Sequence, residues 1–175
     1  DRVVASFQAA CRLAPTPDDL SSVMAVYREL AQLPPESQEH VARLVQRTCP
    51  TWSKEGGWHS IGDGVWADSP GSYRNGQNAS LTTPVLDLRH YSAPTVSFRA
   101  RHDLERNADN VYLEASLDGK SWEGIAAFTG QSDWAEHKLS LAAFGQGSLQ
   151  LRFRLKTDSS NNGEGLELAD FRLEA

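Results

Sequence analysis

From residue 80 onward, apolar and polar side chains alternate with a period of two, the pattern of strands with one buried face. Across residues 94–104, Val96, Phe98, Ala100, His102 and Leu104 face one way, and Thr95, Ser97, Arg99, Arg101 and Asp103 the other. Residues 110–117 repeat the pattern with Val111, Leu113, Ala115 and Leu117, and Asp118-Gly119 then supplies a hairpin turn. The clearest alternation runs over 148–156, with Leu149, Leu151, Phe153 and Leu155 inward and Gln150, Arg152, Arg154 and Lys156 outward. Weaker strands fit 65–68, 80–88, 124–128 and 134–141. In 165–173 the apolar phase slips between Leu168 and Phe171, as a bulge would cause. About eight strands with no helix between them predict a mostly β fold, an antiparallel two-sheet sandwich.

The first 50 residues follow a different period. Thr16-Pro17-Asp18-Asp19 supplies an N-cap hydroxyl, a proline at the first helical position and acidic groups at the positive end of the helix dipole. Leu20, Val23, Met24, Tyr27, Leu30 and Ala31 then form one helical stripe. Pro34-Pro35 separates it from a stripe of Val41, Leu44 and Val45, and Val3, Val4, Phe7, Ala10 and Cys11 fit a shorter helix before both. Composition changes at the same place: all 13 glycines and all five tryptophans lie beyond residue 50. The expected organisation is therefore a helical segment of three short helices over 1–50 and a sandwich over 51–175. A segment of about 50 residues makes a marginal core alone.

The sandwich residues carry a resemblance. Gly57-Trp58, Val65-Trp66 and a Ser/Gly/Asn-rich loop lead into Asn78-Ala79-Ser80-Leu81-Thr82-Thr83-Pro84-Val85-Leu86-Asp87-Leu88. Pro94-Thr95-Val96-Ser97-Phe98, His102-Asp103-Leu104-Glu105, Asn110-Val111-Tyr112-Leu113-Glu114 and Asp118-Gly119-Lys120-Ser121-Trp122 follow. The series closes with Leu151-Arg152-Phe153-Arg154-Leu155, Thr157-Asp158 and the last strand. Over about residues 56–174 this order resembles the MAM-like, galactose-binding-like jelly-roll accessory domains of immune-inhibitor-A-type secreted metallopeptidases and bacterial surface proteins. The resemblance implies a jelly roll without catalytic residues, from the C-terminal part of a larger secreted or cell-surface protein. It also implies a structural calcium ion held where strands enter loops. Asp103, Glu105 and Asp109 cluster at such a place and Asp170 sits in the expected bulge, all hard oxygen donors. The competing reading is an acidic, solvated loop with Arg101 and Arg106 as counter-ions. Residues 1–50 lie outside the resemblance.

Charge narrows the partners. Seventeen Lys and Arg against 23 Asp and Glu give a net charge of −6, which disfavours nucleic acid and anionic membrane. No apolar run reaches the roughly 18–20 residues of a membrane span. No HExxH, GxSxG, Walker loop or GxGxxG before a helix occurs, so no catalytic residues are expected. Arg99 and Arg101 project from one strand, and Arg152, Arg154 and Lys156 from another. If these strands were neighbours, five cations would share one face and meet an acidic glycan or an acidic protein surface. The plainer alternative is a cross-strand ladder with Glu114 and Glu167, or packing of the helical segment over this face so that it buries the arginine stems. Exposed tryptophans would stack on sugars, whereas the resemblance implies core or edge-covering aromatics at Trp58, Trp66 and Trp122. Cys11 and Cys49 are placed to tie the ends of the helical segment. An extracytoplasmic location favours that disulfide over two free thiols. The loops over 68–77 and 158–165 read as exposed turns.

Overall fold

The computed structural model describes residues 52–174 other than Asp63 and His90. The chain divides into two units, Asp1–Thr51 and Trp52–Ala175, and the second is described here. The three expected helices and the Cys11–Cys49 bridge lie outside the described residues.

Eleven strands form two sheets: β1 (Ser53–Glu55), β2 (His59–Gly62), β3 (Val65–Ala67), β4 (Asn78–Thr82), β5 (Leu86–Asp87), β6 (Thr95–Asp103), β7 (Asn110–Ser116), β8 (Glu123–Phe128), β9 (Gln131–Ser140), β10 (Ser148–Lys156) and β11 (Gly165–Glu174). The first sheet runs β1-β4-β10-β7-β8, with β5 also paired to β10; the second runs β2-β3-β11-β6-β9. Every pairing is antiparallel. The expected sandwich of two antiparallel sheets is what the chain forms. Among the described residues, no helix is long and apolar enough to cross a membrane.

The alternation explains the core. On β10, Leu149, Leu151, Phe153 and Leu155 are buried and the residues between them are not. They meet Val96, Phe98 and Ala100 of β6 and Leu166 and Leu168 of β11 in one apolar cluster. Phe153 stands at its centre, with its ring edge-on to Phe98 at 5.2 Å and to Phe171 at 6.4 Å. Trp52, Trp58 and Trp66 are buried, and Trp52 packs against Trp66 and Phe171 of the sandwich itself.

Three departures have local causes. The strand expected over 80–88 is split at Pro84, which has no N–H for a ladder; Thr83 bridges the gap by exchanging bonds with Leu151. The slip in the last strand is a bulge between Ala169 and Arg172, where Asp170 takes a φ of 53°. The 68–77 loop is not wholly exposed: Asp68 and Tyr73 are buried, and the Tyr73 hydroxyl accepts the Glu105 N–H at 3.0 Å. Gly165, at φ 87°, is required there, because a Cβ would collide with the Asp68 carboxylate.

Candidate functional site

The outer face of the first sheet carries an ordered row of polar and aromatic side chains. Because Leu151, Phe153 and Leu155 point into the core, Arg152 and Arg154 on the central strand must point out. Register then fixes their neighbours. Glu114 and Thr82 lie opposite Arg152, and Tyr112 and Ser80 opposite Arg154. One carboxylate serves both guanidiniums: Glu114 accepts from Arg152 Nε at 2.8 Å and from Arg154 Nη2 at 2.6 Å. Its side chain is only 8% exposed, so the carboxylate is largely dehydrated. Burial alone would raise the Glu114 carboxyl, but the bonds from Arg154 and Arg152 outweigh it and hold the group below the usual carboxylate range.

Each guanidinium also lies over a ring. Arg152 stands 4.1 Å from the Trp122 centroid and Arg154 5.3 Å from that of Tyr112. Trp122 is delivered by the β7–β8 turn, which Asp118 ties together. The Asp118 carboxylate accepts the Ser121 and Lys120 N–H groups at 2.7 and 2.8 Å. Those bonds, the Ser121 one foremost, draw its carboxyl down to about 2. The sequence Trp122, Arg152, Glu114, Arg154, Tyr112 thus forms a continuous strip. Gly124 and Ala127 of β8 border it on one side and Thr82 and Ser80 of β4 on the other, all small side chains.

The five expected cations do not share a surface. Strands β6 and β10 belong to different sheets, so Arg99 and Arg101 project from the opposite side to Arg152, Arg154 and Lys156. On that second face each arginine has its own carboxylate: Arg101 with Glu167 at 2.6 Å, and Arg99 with Asp170 at 3.6 Å. Both lie against Trp134, with guanidinium-to-ring distances of 6.0 and 5.3 Å. Beside them a cleft of about 430 Å³ is lined by Arg101, Asp103, Asp133, Glu164 and Glu167 among others. Four carboxylates against one guanidinium make it acidic.

A third constellation lies where loops meet. Glu105, Asp109 and Asp158 bring carboxylate oxygens within 4.8 Å of one another. Asp109 is fully buried; its Oδ1 accepts the Asp158 N–H at 2.7 Å, while Oδ2 has no hydrogen-bond partner. Tyr73 lies beside it, its phenol pushed up to about 12 by burial first and then by the Asp109 carboxylate. Of the four expected metal ligands, Glu105 and Asp109 come together here. Asp103 instead accepts a bond from Gln131 and lines the acidic cleft, and Asp170 belongs to the bulge beside Arg99. Asp158, 49 residues from Asp109 along the chain, was not foreseen.

The class defined by this fold is a two-sheet antiparallel β-sandwich. No family model matches the chain. A stretch of 102 residues, 57% of the chain, is 28% identical to bacillopeptidase F of Bacillus subtilis strain 168, and this chain spans 7% of that protein's length. Among solved structures, a cleaved adhesin domain of Lys-gingipain from Porphyromonas gingivalis aligns with a TM-score of 0.48 and 17% identity, over 70% of this chain and 90% of that one. A carbohydrate-binding module from Paenibacillus barcinonensis aligns with a TM-score of 0.38 and 18% identity, over 71% and 88% of the two chains.

Proposed function

We propose that this chain supplies a non-catalytic, MAM-like jelly-roll accessory domain to a larger secreted or cell-surface protein, and that it binds glycan through the outer face of the first sheet. The observation that carries this reading is the strip from Trp122 to Tyr112. Its rings offer flat apolar surface for the C–H faces of sugar rings, and guanidinium N–H groups lie beside them for hydroxyls. A secreted peptidase is the proposed parent, supported by the partial identity to a protein named as a peptidase. Electrophoresis of the full chain through gels containing dissolved polysaccharides tests the binding. Retention is expected in at least one gel and is expected to be lost in Trp122→Ala. Uniform mobility of the wild type across plant and bacterial polysaccharides of both neutral and acidic type counts against it.

The same reading includes a structural calcium ion at Glu105, Asp109 and Asp158. The unpartnered Asp109 Oδ2 fits such an ion, as does a donor set made only of hard oxygens. A bound ion there would tie the ends of β6 and β10 together. Calcium at about 100 times its dissociation constant is expected to stabilise the domain by about 2.7 kcal/mol, read as a rise in Tm. Asp158 is exposed, so Asp158→Asn is expected to remove that rise while changing the calcium-free Tm little. No change in wild-type Tm with calcium would rule the site out.

A further inference from the structure

We infer that the outer face of the first sheet selects saccharides bearing carboxylates, uronic-acid oligomers, over neutral sugars of the same backbone; this rests on the glycan-binding reading above. The argument is one of unmatched charge. Arg152, Arg154 and Lys156 face outward on β10, whereas the carboxylates on the strands of this face are Glu114, shared by both arginines, Glu55, which bonds Ser80 on the neighbouring strand, and Asp87, which holds Arg89. Four cations therefore stand against three carboxylates. The second face offers no such surplus: Arg99 and Arg101 are matched one to one, and the adjoining cleft repels anions.

Geometry makes the surplus usable. Both arginines turn Nε and Nη2 toward Glu114. A guanidinium carries five N–H donors in one plane, so each keeps a second edge, built on Nη1, for a further carboxylate. Their side chains are 21% and 26% exposed, so neither is sealed from solvent. Stacking on Trp122 and Tyr112 holds them in place beforehand, so less side-chain freedom is lost when an anion arrives. A pyranose ring with a carboxylate satisfies the strip twice, once on an aromatic face and once on a guanidinium edge. An extended acidic peptide meets only the second.

Titration calorimetry of the full chain, with circular dichroism to check folding of each variant, decides the matter. The probes are an oligogalacturonate, its fully methyl-esterified neutral form, and polyglutamate of similar length. The free acid is expected to bind at least about tenfold more tightly than the ester at low salt, with the advantage shrinking as salt is added. Arg154→Gln is expected to bring the acid down to the ester's affinity. Glu114→Gln frees both guanidiniums and is expected to strengthen binding of the acid more than that of the ester, a gain in selectivity that a purely structural Glu114 would not give. Equal affinity for acid and ester, or no gain in Glu114→Gln, overturns the selectivity and leaves glycan binding standing. Failure of both sugars to bind overturns glycan binding and this inference together. Tighter binding of polyglutamate than of oligogalacturonate overturns the inference in favour of an acidic protein partner.

Discussion

Relative to wild type, an Asp68→Asn variant is expected to gain about 4 kcal/mol of stability between about pH 4 and about pH 8. Asp68 is fully buried, its Oδ1 is unpartnered, and only its Oδ2 accepts a backbone bond, from Leu166 at 2.9 Å. Burial therefore dominates, and the carboxyl is pushed up from 3.8 to about 7, the Leu166 bond offsetting only part of the rise. The sign follows from proton binding. Below about pH 4 the group is protonated in both the folded and the unfolded chain, and it costs nothing extra. Between about pH 4 and pH 7 the unfolded chain releases a proton that the fold retains, so stability falls as pH rises. Above about pH 7 the buried carboxylate is charged and the full penalty applies. The asparagine variant has no such slope. Glu114, Asp118 and Glu174 are held below their ordinary values and act in the opposite sense, favouring the fold above the unfolded-state value and losing that contribution as pH falls. The difference between the two proteins isolates Asp68. Urea denaturation in chelator at several pH values measures it; a difference that stays constant with pH would refute the account of Asp68.

Phe153→Ala is expected to cost about 4 kcal/mol. The ring is fully buried on the central strand of the first sheet, and it contacts both sheets through its edge-on neighbours Phe98 and Phe171. Removing it leaves a cavity that two facing sheets cannot easily collapse to fill, so the loss exceeds the transfer term alone. Chemical denaturation followed by tryptophan fluorescence reports it directly, because Trp52 packs on Phe171 in the same cluster. A loss below about 1 kcal/mol would mean that the two sheets do not pack around this residue.

How much of this was legible in the sequence depended on how local each cause was. Strand β10 was read to its ends because Leu149 to Leu155 alternate without interruption. The β11 bulge was legible because a bulge shifts the apolar phase, which shows in one strand alone. Strands β1 and β2 were missed: three and four residues long, mostly exposed and set among glycines, they offer no period to detect. Tyr73 was missed for a related reason, being a single buried ring inside a polar loop that reads as an exposed turn.

The sites were less legible than the strands, because they depend on pairing between distant segments. That Arg152 and Arg154 face outward follows from β10 alone, but their sharing of Glu114 needs the register with β7. The separation of Arg99 and Arg101 from them needs the strand order of both sheets. For the carboxylate cluster, residues 103–109 indicated the right neighbourhood. Asp158 entered through the β10–β11 loop, and Asp103 left through its bond to Gln131.

The central claim is that the Trp122–Tyr112 strip is the ligand platform, and nuclear magnetic resonance tests it most directly. Amide, indole and guanidinium signals of the isotope-labelled full chain would be followed while a polysaccharide fragment that retains the protein in gels is added. The account predicts that the largest shifts fall on the Trp122 indole, Tyr112, Glu114 and the Arg152 and Arg154 side chains, with Trp134 and the acidic cleft unmoved. Shifts centred on Trp134, Asp133 and Glu164 would contradict it and move the binding site to the other sheet.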